Sequence, residues 1–93
     1  MPRYIQLMTF TDQGRKTIRD WPTRVASAPI KAKSEEGLYM TMGQYDLVRI
    51  VEFESDEACT TATLALDSVG NLRTVTMKAF TQDEAMQIIA KMD

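Results

Sequence analysis

The side chains best able to do chemistry in this chain crowd one stretch, Leu38 to Phe53, which reads LYMTMGQYDLVRIVEF. Gly43-Gln44-Tyr45-Asp46 breaks two apolar-rich runs there, and Arg49 follows three residues later. A phenol, a carboxylate and a guanidinium so placed could hold a small organic or anionic molecule, with Tyr45 donating a hydrogen bond and Arg49 supplying charge. The same residues also read as turn chemistry: Gly43 gives a permissive backbone, Asp46 bonds nearby amides and Tyr45 packs over a hairpin. Arg49 divides likewise between an anchor for an anion and a structural ion pair, with Glu52 or with an acid of a second subunit. Gln6, Thr41 and Thr74 fall on the sheet face expected to carry Arg49. Trp21 and Arg24 could close one end of a pocket there, although the plainer role of Trp21 is to pack a helix on the sheet.

Several chemistries are removed by what the chain lacks. It has no histidine, so a Ser-His or Cys-His nucleophile is excluded, as is the side chain that titrates near neutral pH. The usual ligand for zinc goes with it, and Asp12, Asp56, Glu57, Asp83 and Glu84 read as helix-start acids; no metal and no cofactor is expected. The one cysteine, Cys59, permits no intrachain disulfide and fits a reducing cytoplasm. It reads as a small apolar residue, not a nucleophile. Net charge is −2 and the basic residues are scattered, which gives no footprint for nucleic acid. No run reaches the length of a membrane span, and the first ten residues are too interrupted for a signal peptide.

The elements that must position these residues follow from periodicity. Residues 3–10 alternate as a strand, Ile5 and Leu7 on one face, Tyr4, Gln6, Met8 and Phe10 on the other. Thr11 caps a helical stretch expected over 12–20, followed by a short helix over 22–28 with Pro22 in its first turn. Residues 29–36 read as a polar connection. The hairpin then places Leu38, Met40 and Met42 together on its first strand, and Leu47, Arg49, Val51 and Phe53 together on its second. Ser55-Asp56-Glu57 opens a helix with Ala58, Ala62, Ala65, Leu66 and Val69 at helical spacing, which Gly70-Asn71 ends. Leu72 to Phe80 is a fourth strand. Thr81-Gln82-Asp83-Glu84 is a capping box that starts a last helix with Ala85, Ile88, Ile89 and Met92 on one face.

The order β-α-β-β-α-β plus a helix is the ferredoxin-like arrangement of an α+β domain, here one domain over residues 1–93, with a four-stranded antiparallel sheet in spatial order 4-1-3-2. Both main helices cover one face. By alternation the other face is expected to show Met8, Phe10, Leu47, Val51 and Phe53. Leaving those five in water would forgo roughly 8–15 kcal/mol gross, so a second copy is expected to cover them, making a homodimer or a higher oligomer. The buried Arg49 would then need a carboxylate, a ligand or water.

At Gly43-Gln44-Tyr45-Asp46 the chain resembles the GYD domain family. Thr11-Asp12-Gln13-Gly14, Pro22 with Arg24, Gly70-Asn71 with Arg73-Thr74, and Ala79-Phe80 resemble that family's text in the same order, so the resemblance spans nearly the whole chain. It implies a fold of the dimeric α/β-barrel group and little about chemistry. The stretch from Arg24 to Leu38 is several residues shorter than the family pattern, which shortens any pocket wall built by the first helix.

Three functions remain open on this reading. One is a homodimeric domain that binds a small organic or anionic ligand between sheet and helices. Another is a cofactor-independent oxygenase or isomerase using Tyr45, Asp46 and Arg49. The third is a structural or regulatory homodimer whose Arg49 is paired internally.

Overall fold

Strand β1, Arg3–Phe10, runs through the middle of the sheet, its even residues buried and its odd ones half-buried. A computed structural model describes residues 1–27 and 34–92. Beyond β1 the chain forms α1 (Asp12–Lys16), a 3-10 turn (Ile18–Asp20), α2 (Trp21–Ser27), β2 (Ser34–Met40), β3 (Leu47–Glu52), α3 (Asp56–Ser68), β4 (Leu72–Ala79) and α4 (Gln82–Ala90). The sheet is antiparallel in the order β2-β3-β1-β4. The expected order and the α+β class are both found.

Local chemistry explains the corners. Thr11 accepts from the Gly14 amide at 3.1 Å and so caps α1. Its own amide and hydroxyl bond Asn71 O and Gly70 O at 3.0 and 2.5 Å, tying this corner to the start of β4. The approach is close enough that a Cβ on Gly14 would lie 2.2 Å from Asn71 O. The helix expected over 12–20 is divided, because α1 ends at Lys16 and the 3-10 turn follows. Strand β2 begins at Ser34, four residues before the expected Leu38, and takes up the difference with an irregularity between Glu35 and Gly37. The polar connection expected over 29–36 lies outside the described residues as far as 33, and its remainder is strand. Met42, expected beside Met40 on a strand face, is fully exposed in the turn.

The main correction concerns which face the helices cover. Met8, Phe10, Leu47, Val51 and Phe53 are all buried within this one chain. Tyr4, Val51 and Phe53 pack on Cys59, Ala58 and Ala62 of α3. Met8, Phe10 and Leu47 pack with Trp21, Leu38, Leu66 and Leu72. No second copy is needed for that face, and the cavity between subunits expected to hold Arg49 goes with it. The open face instead carries the half-buried Ile5, Leu7, Val48 and Ile50. Val75 and Met77 of β4 and Tyr39 of β2 lie beside them, 43–58% exposed. An uncovered apolar face therefore exists, made of the other set of residues. Each large aliphatic group left there forgoes about 1.5–3 kcal/mol of burial.

The stripe of α3 also differs from expectation. Cys59, Ala62, Thr63 and Leu66 turn inward, whereas Ala65 and Val69 are exposed. Helix α4 has its full capping box, with Glu84 N–H donating to Thr81 Oγ1 at 3.1 Å and Thr81 N–H donating to Glu84 Oε1 at 2.8 Å. The molecule measures 52 Å by 27 and 18 Å, and the apolar stripe of α4 stays in solvent.

Candidate functional site

The register of β1 against β3 sets Gln6 opposite Arg49, and that of β1 against β4 sets Gln6 opposite Thr76. Gln6 is fully buried and Arg49 is 7% exposed. Arg49 Nε and Nη2 both donate to Gln6 Oε1, at 3.0 and 2.6 Å. Gln6 Nε2 donates to Thr63 Oγ1 at 2.8 Å and Thr76 Oγ1 at 3.2 Å, with Cys59 Sγ at 3.9 Å. Thr63 Oγ1 in turn donates a hydrogen bond to Cys59 O at 2.8 Å. This polar centre separates the two apolar clusters of the core.

Among the described residues no carboxylate lies within ion-pair reach of Arg49. The expected pair with Glu52 does not form; Glu52 meets Arg3 at 3.3 Å, and Arg3 also meets Glu36 at 2.5 Å. Burial pushes the Arg49 guanidinium below its ordinary pKa, against the opposing pull of Glu35. Burial likewise pushes the Cys59 thiol up, despite the hydrogen bond with Thr63 and the charge of Arg49. The thiol packs with Tyr4, Val51 and Phe53 as a small apolar group. At the end of the same face, Tyr4 donates to the Asp56 carboxylate, which also meets Lys78 at 3.1 Å. Burial first, and that carboxylate second, raise the Tyr4 pKa.

The hairpin motif has a different task. Gly43 has φ 117°, which favours glycine. Asp46 Oδ2 accepts from the Phe10 amide at 2.9 Å, and Asp46 N–H donates to Met8 O at 2.9 Å. Thr41 N–H donates to Asp46 O at 2.8 Å and Thr41 Oγ1 to Tyr45 O at 2.6 Å. The turn is thus clamped on itself and on the end of β1. Tyr45 is half-buried.

The eight residues singled out from the sequence do not form one pocket. Gln6 and Arg49 meet in the core. Thr41, Tyr45 and Asp46 meet in the hairpin. Trp21 stacks edge-on against Phe10 with ring centroids 6.2 Å apart. Arg24 donates to Thr17 O and Oγ1, both at 3.0 Å. Thr74 bonds Asp67 through its hydroxyl at 2.7 Å and its amide at 3.1 Å, tying β4 to the last turn of α3. Sequence reasoning missed Thr63. Its signal was a hydroxyl on the inward stripe of α3, four residues after Cys59. It also missed Arg15, which with Phe10, Ile18, Met40, Thr41 and Asp46 lines an open cleft of about 270 Å³. Among the described residues no group of three potential metal ligands is present, and no helix is long and apolar enough to cross a membrane.

The GYD domain model matches residues 4–89, which include the clamped hairpin. The chain belongs to the GYD domain family. A glutamine synthetase and cystathionine beta-lyase binding protein of Thermus thermophilus is 33% identical over 84 residues, which cover 85% of this chain and 88% of that one. Among solved structures, a feast or famine regulatory protein from M. tuberculosis, complexed with L-methionine, superposes with a TM-score of 0.67 at 18% identity. A second solved chain, of a mutant protein, gives 0.66 at 18%. This GYD domain chain covers 88% and 87% of its own length in those matches and about half, 52% and 51%, of theirs. They share its fold.

Proposed function

We propose that this GYD domain chain is a homodimeric regulatory module, joined through its open sheet face, that acts by contact with a protein partner and not by turnover. The observation that carries the reading is the contrast between its polar and apolar surfaces. The polar centre is closed on itself by Gln6, while Ile5, Leu7, Val48, Ile50, Val75 and Met77 face outward. A face of that kind marks an interface. The Thermus thermophilus relative, named for binding two metabolic enzymes, supports a protein as the further partner. The oxygenase or isomerase reading loses support because two of its three side chains are otherwise engaged and the third belongs to a clamped turn. Asp46 holds the Phe10 amide, Arg49 holds Gln6, and the Tyr45 carbonyl is bonded within the turn by Thr41.

The test has two steps. Sedimentation equilibrium should give a dimer for the wild type and a folded monomer for Ile50→Asp. Purified glutamine synthetase and cystathionine beta-lyase should then bind the immobilised wild type in interferometry. A monomeric wild type that binds neither enzyme would sink the proposal.

A second reading rests on the open cleft. Arg15 supplies a cation, Asp46 keeps a second carboxylate oxygen, and Phe10, Ile18 and Met40 supply apolar walls. That set suits a small zwitterion with an apolar side chain. A rise in melting temperature with such compounds, lost in Arg15→Ala, would support it; no rise with any of them would remove it.

A further inference from the structure

Two apolar surfaces of this chain are left uncovered, and they adjoin in sequence. One is the open sheet face. The other is α4, where Ile88, Ile89 and Met92 form one stripe with Ala85, flanked by Met86, and the preceding Phe80 is exposed as well. These five large side chains are 48–73% exposed. Helix α4 does not fold back on its own sheet. Only Phe80 and Thr81 separate it from β4, and the capping box fixes the exit of the chain at Thr81.

We infer that α4 is a clasp that crosses to the partner subunit and packs there, extending the sheet-to-sheet contact. The inference rests on the homodimer reading above and adds to it a helical contact, which each copy contributes to the other. Area supports this choice of occupant. Tyr39, Val75 and Met77 on the sheet, with Phe80, Met86, Ile88, Ile89 and Met92, are 43–73% exposed. At roughly 150–200 Å² for a large side chain they offer on the order of 700 Å² per protomer, close to the ~800 Å² that a stable dimer buries on each partner. The three exposed sheet residues supply the smaller part of that area.

The test uses full-length protein. An Ile88→Asp, Ile89→Asp double variant should weaken the dimer by about 100-fold or more in sedimentation equilibrium, since two buried aliphatic groups are lost. Gln87→Asp, which adds charge on the other side of the same helix, should leave it unchanged. In dimers mixed from isotope-labelled and unlabelled chains, methyl contacts of Ile88 and Ile89 should run between subunits. The clasp is overturned if the double variant dimerises as tightly as wild type, or if those contacts run only within one chain. If Ile50→Asp gives monomers while the α4 variant does not, the dimer stands without the clasp. A wild type that stays monomeric at high concentration overturns both.

Discussion

The two faces of one sheet treat polarity in opposite ways. Beneath the helices, at the centre of the core, sit a glutamine and an arginine, with Gln6 fully buried and Arg49 nearly so. Across the same strands, one residue along, Ile5, Leu7, Val48 and Ile50 lie on the face opposite the described helices that cover Gln6 and Arg49. Burial here follows satisfaction, not hydrophobicity. A guanidinium is tolerated because Gln6 accepts twice from it and Thr63 and Thr76 accept from Gln6. The aliphatic groups outside have no such local answer, and on the proposed reading a second copy covers them.

The sharpest way to break this contrast is Gln6→Leu, which strands Arg49 in the core without an acceptor. A loss of about 3–5 kcal/mol in urea unfolding is expected, with much of it recovered in Gln6→Leu, Arg49→Met, where the charge goes too. A loss below 1 kcal/mol would show that the covered face does not depend on its polar centre. Asp46→Ala should come next, at about 1–3 kcal/mol, because the Phe10 amide loses its partner. Asp46→Asn, which keeps an acceptor oxygen, should cost clearly less in the same assay.

Tyr4→Phe tests the far end of the covered face and should cost about 1 kcal/mol. It also carries a pH signature. The folded-state pKa of Tyr4 is raised by burial and by Asp56, so the folded chain holds this proton more tightly than the unfolded one. The resulting stability is fully present below about pH 10, the ordinary tyrosine value, and declines as pH rises above it. Melting temperature followed upward from pH 9 should fall less steeply in Tyr4→Phe than in wild type. On the open face, Val75→Thr should change the stability of the isolated chain by no more than about 0.5 kcal/mol, yet measurably weaken self-association in sedimentation. A large stability loss there would mean that this face is already covered within one chain.

Much of the frame was legible in the sequence. The alternation over residues 3–10, the caps at Thr11, Ser55 and Thr81, and the order of strands follow from spacing and short-range hydrogen bonding, which need no tertiary context. The side covered by the helices was not legible, because both faces of β1 and β3 are apolar enough to be core. Alternation separates the two sets of residues without saying which set the helices cover. The pairing of Gln6 with Arg49, which lets their face be the covered one, exists only once β1 and β3 are in register. The same holds for the hairpin. Gly43, Tyr45 and Asp46 marked the turn, but the amide held by Asp46 belongs to Phe10, thirty-six residues earlier. Ligand chemistry and turn chemistry use the same side chains there, and only the tertiary partner separates them.

The capping box at Thr81 bears on how fast and how tightly α4 could engage anything. A nine-residue helix is marginal on its own in water, and ordering it on contact would subtract from affinity. With hydroxyl and carboxylate already closing its first turn, a cap of about 1 kcal/mol offsets part of that entropic toll before encounter. If α4 is the clasp, Thr81→Ala should weaken self-association in sedimentation equilibrium while leaving every apolar contact of the helix in place.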